Sequence, residues 1–192
     1  IYAKRFLEVL LAQQDCEIKL LISQPGNEVL RLELGLSLEG STSDRERKLR
    51  SWLGLSENDS RLEYVDYLDF TGPLCSGSFV TQGMIVIPST MATLAGIAHG
   101  LSRNLIERAA DVTLKEGRPL ILVPRETPLN LIHLRNMLAL QEAGAHIVPA
   151  MPAFYHQPKT IDDLVDFVAG KVLDLMGLEH DLYRRWGSTS KA

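Results

Sequence analysis

Apolar positions along this chain follow two rhythms in turn. From Tyr2 to Gln14 they recur every three or four residues, with Phe6, Leu7, Leu10 and Leu11 on one side and Lys4, Arg5 and Glu8 on the other, the period of an amphipathic helix. Cys16 to Ile22 then reads as a strand. After Pro25-Gly26, Glu28 to Leu34 predicts a short helix, and the charged connector Ser43 to Leu53 predicts another, ahead of a weaker strand at Leu62 to Val65. Gly83 to Ile87 is apolar and predicts a buried strand. Thr90 to Gly100 and Asn104 to Glu116 read as helices, and Leu120 to Val123 as a second buried strand. Leu129 to Ala143 reads as a helix, His146 to Val148 as the last strand and Ile161 to Met176 as the closing helix.

Near-continuous apolar strands separated by helices imply a parallel sheet, because a strand covered on both faces needs no polar alternation. The predicted fold is α/β: a three-layer, doubly wound, Rossmann-like and mostly parallel sheet with helices on both faces, in a single domain. In such sheets ligands sit beyond the carboxyl ends of the strands. One element is out of step, since Ile1 enters a helix that follows no strand, and a first strand is expected ahead of it.

Composition narrows the function. The 192 residues are 45% hydrophobic and 23% charged, enough for one packed domain. A net charge of -4 without a dense basic stripe argues against general nucleic-acid binding, which needs clustered Lys and Arg. No apolar run approaches the roughly 20 residues of a membrane span. Cys16 and Cys75 have no CxxC spacing and the five histidines no HxxxH or HxH spacing, so no metal site is readable. A cytoplasmic enzyme fits best.

The candidate chemistry collects where strands end. Ser23 closes the Leu20-Leu21-Ile22 run, a place where a hydroxyl ordinarily caps a turn or helix. Ser89, Thr90 and Thr93 cluster at the start of a helix, where capping explains one hydroxyl and the unpaired amides suit a phosphate or a ring carbonyl. Arg125 and Glu126 directly follow the Leu120 to Pro124 run, at the carboxyl end of a central strand. Arg108 and Lys115, seven residues apart, share one helix face, for which surface salt bridging is the plain explanation. Glu33 by itself reads as a solvated carboxylate at a helix end, and Phe70 as a hydrophobic anchor for its loop.

The run Glu107-Arg108-Ala109-Ala110-Asp111-Val112, continued by Leu114-Lys115-Glu116 and by Arg118 through Pro128, resembles the flavin prenyltransferase (UbiX) family over nearly the whole chain. The resemblance implies transfer of a dimethylallyl group from dimethylallyl phosphate to N5 and C6 of reduced FMN, without a metal. The product would serve a separate UbiD-type decarboxylase. It implies that Ser23, Ser89, Thr90, Thr93 and Arg125 contact the flavin, although Gln24 stands where a lysine is common and Ser89 where a cysteine is common. Lys115, Arg125 and Tyr155 would hold the allylic phosphate, with Arg108 in support and Lys171 in place of a typical arginine. Tyr155 and Lys171 would come from a neighbouring subunit of a homo-oligomer, commonly a dodecamer in the family.

In the same reading Glu126 is the acid-base residue at the leaving phosphate and the flavin ring, and Glu33 handles protons at the reaction centre. Phe70, a tryptophan in some members, would face the allylic cation. Arg185-Trp186-Gly187 matches the closing motif, and a strand with a Gly-rich phosphate loop is expected before Ile1. Two rival readings stand beside this one, one from the same fold and one from another class. An FMN-dependent cysteine decarboxylase would need a catalytic histidine and an Asn-containing segment where this chain has Pro88-Ser-Thr-Met-Ala. A non-catalytic flavin-binding subunit would not need Lys115, Arg125, Glu126 and Tyr155 together.

Overall fold

The computed structural model describes residues 1–13 and 16–185. Its first helix, α1 (Tyr2–Ala12), buries Phe6, Leu7, Leu10 and Leu11, the stripe its sequence period marks out. It stops short of the expected Gln14, since Gln13 is already extended, and Gln14 itself lies outside the described residues. The strand β1 (Ile18–Leu21) leads into α2 (Gln24–Leu34), α3 (Thr42–Trp52) and β2 (Leu62–Val65). A single 3-10 turn at Pro73–Cys75 precedes β3 (Met84–Ser89), α4 (Met91–Ala98) and α5 (Leu105–Lys115). Then follow β4 (Leu120–Pro124), α6 (Leu131–Glu142), β5 (His146–Ile147) and α7 (Ile161–Met176).

The expected start of α2 at Glu28 needs correction. The helix begins at Gln24, because the Ser23 hydroxyl accepts the Gly26 amide at 3.2 Å and Pro25 falls in the first turn, where its missing N–H costs nothing. Pro25-Gly26 therefore opens a helix instead of separating two elements.

Every strand pair is parallel, but the strands form two sheets, β1-β2 and β3-β4-β5. The parallel strands and covering helices of the expected fold are present, with the strands divided between β1 and β3. The Ile18 amide donates to Arg61 O at 2.7 Å and the Met84 amide to Pro119 O at 2.8 Å, so these residues point at their partner strands. Alternate residues point the opposite way along a strand, which turns the backbone groups of Lys19, Leu21, Ile85 and Ile87 toward the interval between the sheets.

The core is built around β4, whose Leu120, Ile121, Leu122 and Val123 are fully buried. Ile121 and Val123 pack with Phe6 and Leu10 of α1 and Val168, Val172 and Leu173 of α7. Leu120 and Leu122 pack on the other face with Leu94, Ile97, Ala110, Met137 and Leu140 from α4, α5 and α6. This is the three-layer arrangement the apolar strands imply, each buried Leu or Val contributing roughly 1.5–3 kcal/mol. A third cluster, Leu7, Leu11, Leu38, Leu49, Leu62 and Tyr64, closes the β1-β2 side.

Ionic ties lock the layers. Arg5 donates from Nε to Asp166 Oδ1 at 2.5 Å and from Nη2 to Oδ2 at 3.0 Å, a bidentate pair joining α1 to α7. The Glu107 carboxylate is buried, takes hydrogen bonds from the Arg103 side chain and amide, and lies so close to α4 that a Cβ on Gly96 would come within 2.4 Å of it.

Candidate active site

A cleft of about 1000 Å3 opens between the two sheets, walled by β1, β3, α1 and the loop from Leu74 to Gln82. It takes in Ser23, Glu33, Ser89, Thr90, Thr93, Arg125 and Glu126, seven of the sequence candidates drawn from four separate segments. Each arrives by the geometry of a strand end. Ser23 caps α2 just beyond β1. Ser89 ends β3 and is buried, its hydroxyl 3.4 Å from Thr90 O. The cap of α4 is Thr90, which accepts the Thr93 amide at 3.2 Å while the two threonine hydroxyls lie 3.0 Å apart.

Two helix amino ends, of α2 and α4, thus border one cleft, each offering amides and a positive dipole end. Arg125 and Glu126 follow β4 and are exposed. The Thr127 amide donates to Glu126 Oε1 at 3.1 Å. Among the described residues neither has an ion-pair partner. The Glu33 side chain is half exposed, 3.6 Å from the Ile1 nitrogen.

Five candidates do not line the cleft. Phe70 is exposed on the loop after β2. Arg108 donates to Cys75 O at 3.1 and 3.2 Å and to Asp111 at 2.8 Å. The Lys115 ammonium pairs with Glu116 against Gly77, whose missing side chain leaves room for the two flexible chain ends. Arg108 and Lys115 both face the segment 75–77, as their seven-residue spacing requires.

Tyr155 and Lys171 meet in a separate patch on α7. The Tyr155 ring sits edge-on to Phe167, centroids 5.9 Å apart, and the Lys171 ammonium lies 5.8 Å from the Phe167 ring and 5.5 Å from the Tyr183 ring. Arg185 adjoins this patch, while Trp186-Gly187 of the closing motif lies outside the described residues.

Arg118 is a cleft residue that the sequence reading passed over. It donates to Phe79 O at 2.8 Å and Gly77 O at 2.7 Å, pinning the loop that forms one wall. Its signal was weak, since it precedes β4 and the rule for ligands points to the other end of a strand.

The cleft suits a flavin nucleotide. At its rim beyond the carboxyl ends of β1 and β3, Ser23, Ser89, Thr90 and Thr93 and two helix amino ends give polar contacts for ring carbonyls and the side arm. No group of three or more His, Cys, Asp or Glu that could hold a metal occurs among the described residues. No helix among them is long and apolar enough to cross a membrane.

Fold and cleft together define an α/β flavoprotein, and the sequence model of the Flavoprotein family matches residues 1–173. A flavin prenyltransferase UbiX of Halalkalibacterium halodurans is 50% identical over 171 residues, covering 89% of this chain and 80% of that protein. The crystal structure of a dodecameric FMN-dependent UbiX-like decarboxylase from Escherichia coli O157:H7 is similar with a TM-score of 0.84 and 43% identity, covering 97% of this chain and 92% of that one. That of AnUbiX (PadA1) in complex with FMN and dimethylallyl pyrophosphate gives 0.82 and 36%, covering 99% and 93%. The chain belongs to the flavin prenyltransferase family.

Proposed function

We propose that this protein is a metal-independent flavin prenyltransferase that binds reduced FMN at the rim of the cleft, beyond the carboxyl ends of β1 and β3, and transfers to it the dimethylallyl group of dimethylallyl phosphate. The observation that carries the reading is the convergence of Ser23, Ser89, Thr90, Thr93, Arg125 and Glu126 on that one cleft, in a chain of this family. Bound reduced flavin supplies nucleophilic positions at N5 and C6.

The chain's own groups do the rest. Ser23, Ser89, Thr90 and Thr93 orient the cofactor, and Arg125 bridges it and the donor. Lys115, Arg125, Tyr155 and Lys171, with Arg108 in support, hold the donor phosphate while the bond from carbon to oxygen breaks, so that fixed positive charge meets the charge developing on the leaving group. Glu126 gives a proton to the departing phosphate and takes the proton released from the ring. Glu33, at the cleft mouth, handles protons there, and Phe70 offers a π face to the allylic fragment.

Because Tyr155 and Lys171, like Phe70, Arg108 and Lys115, lie apart from the cleft, this reading needs further copies to bring the donor-binding groups to it. The exposed Leu131, Ile132, Leu134 and Leu138 of α6, with Met151, Phe154 and Ile161, support packing of copies into a homo-oligomer, with a dodecamer the form we favour. We also propose that the interval between β1 and β3 takes an additional parallel strand carrying a phosphate-binding loop. The backbone groups of Lys19, Leu21, Ile85 and Ile87 turn toward it, which supports this assignment. The prenylated flavin goes to a UbiD-type decarboxylase, and the protein works in the cytoplasm.

The test is anaerobic incubation of the protein, made from its gene, with reduced FMN and dimethylallyl phosphate, followed by mass spectrometry of the flavin. Gain of one five-carbon unit is expected. Unchanged flavin with binding intact overturns the assignment and favours a non-catalytic flavin-binding subunit.

A further inference from the structure

The α7 patch contains an arrangement that the reaction as described does not use. Asp174 stands one turn beyond Lys171 on the same helix, the spacing at which a carboxylate ordinarily neutralises a lysine. It does not do so here, because its oxygens are already engaged. The Tyr183 hydroxyl donates to Oδ2 at 2.5 Å, and Arg185 Nη2 and His180 Nε2 lie 2.7 and 3.1 Å from Oδ1. The segment carrying these donors is laid directly on α7: a Cβ added to Gly170 would come within 2.5 Å of the Tyr183 ring and 2.7 Å of His180, so glycine is what admits it. Lys171 is left between the Phe167 and Tyr183 rings, with no carboxylate in ion-pair distance among the described residues.

We infer that Asp174 and Tyr183 are positioning residues for the donor phosphate: Asp174 fixes the Tyr183 phenol, and the Tyr183 ring with Phe167 steadies the Lys171 ammonium while leaving its charge uncompensated for an anion. Ring faces attract a cation without neutralising it, whereas a carboxylate would compete with the phosphate. A lysine is also a flexible point charge that lacks the rigid fork of arginine, so a lysine ligand gains more from such a cradle. This inference rests on the proposed role of Lys171 in phosphate binding.

The experiment is steady-state kinetics with dimethylallyl phosphate on the full-length protein and on K171A, Y183L, Y183F and K171A/Y183L, with reduced FMN affinity and thermal unfolding measured for each. Y183L is expected to raise the KM for the donor roughly 5- to 30-fold, with FMN affinity kept. Y183F, which keeps the ring and loses only the bond to Asp174, should fall between Y183L and the parent. Y183L should add nothing further in the K171A background. An unchanged KM in Y183L, or an equal effect of Y183L with and without Lys171, overturns the inference and leaves the prenyltransferase reading standing. If K171A itself leaves KM unchanged, Lys171 is no phosphate ligand and the inference falls with that assignment, while the flavin mass measurement still decides the activity. Should Y183L fail to fold, Y183F with and without K171A tests the bond to Asp174, and an unchanged KM in Y183F then overturns the inference.

Discussion

The cleft and the α7 patch are built in opposite ways. In the cleft, polar groups come from the ends of regular elements: two helix amino ends with their capping hydroxyls, and Arg125-Glu126 emerging from a fully buried strand. In the patch, side chains hold one another through ring contacts and a carboxylate with three partners, and little backbone chemistry is involved. Among the described residues Glu126 has no cation in ion-pair distance and Lys171 no carboxylate. A carboxylate without an ion-pair partner in one region and a lysine without one in the other fit the proposal that the two complete one site across a boundary between copies.

Glu126→Gln strikes the cleft half hardest. It keeps size and hydrogen bonding but removes the titrating proton, so turnover should fall by roughly 100- to 10,000-fold, with flavin binding retained. Rapid-mix assays alongside flavin titration measure both. A turnover loss matched by lost flavin binding would make Glu126 a binding residue and erase the distinction between the halves.

Mixing sharpens the comparison further. E126Q and K171A subunits, each impaired alone, should regain activity when unfolded and refolded together, because some boundaries then pair an intact cleft with an intact patch. In an equal mixture on the order of a quarter of the sites should be whole. Activity no higher than the sum of the two separate preparations would mean that Lys171 does not serve a cleft on another copy.

Asp174→Asn tests the patch through stability. Burial disfavours the charged carboxylate, but hydrogen bonds from Arg185, Tyr183 and His180 outweigh this and hold its pKa at about 2, against an ordinary 3.8. Burial and the bond to Asp174 push the Tyr183 phenol upward. A depressed carboxylate pKa stabilises the fold above the unfolded value, and that contribution fades as pH falls from 3.8 toward about 2. Asp174→Asn should therefore cost roughly 2 kcal/mol at pH 7, with the deficit shrinking in acid. Denaturant titrations at both ends of that range check it, and a deficit independent of pH would mean that packing, not charge, is what Asp174 supplies.

These two regions also differ in how far they could be read from the chain. The cleft was largely legible, because hydroxyls and charges at strand ends follow from the period of apolar residues and one topological rule. The start of α2 was misplaced because Pro25-Gly26 signals a break unless Ser23 is known to cap it. Arg118 was passed over because its targets, the carbonyls of Gly77 and Phe79, lie about 40 positions away on a loop without periodicity. The patch was legible as a set of isolated residues only. Nothing in the spacing of Asp174, His180, Tyr183 and Arg185 shows that the segment after α7 folds back over Gly170, since that path is set by packing around a missing side chain.

The smallest effect returns to the cleft and asks whether a cap can also be a ligand. The Ser23 hydroxyl accepts one amide of α2 at 3.2 Å, so Ser23→Ala should cost about 1 kcal/mol of stability, visible as a small drop in unfolding temperature. Ser23→Thr keeps the hydroxyl and should restore most of it. If the same hydroxyl touches the flavin, the alanine variant should also weaken FMN binding several-fold while the threonine variant does not, a contrast that fluorescence titration resolves. Lost stability with unchanged FMN affinity would make Ser23 a cap and nothing more, and would hand the cofactor's polar contacts at that end of the cleft to the α2 amides alone.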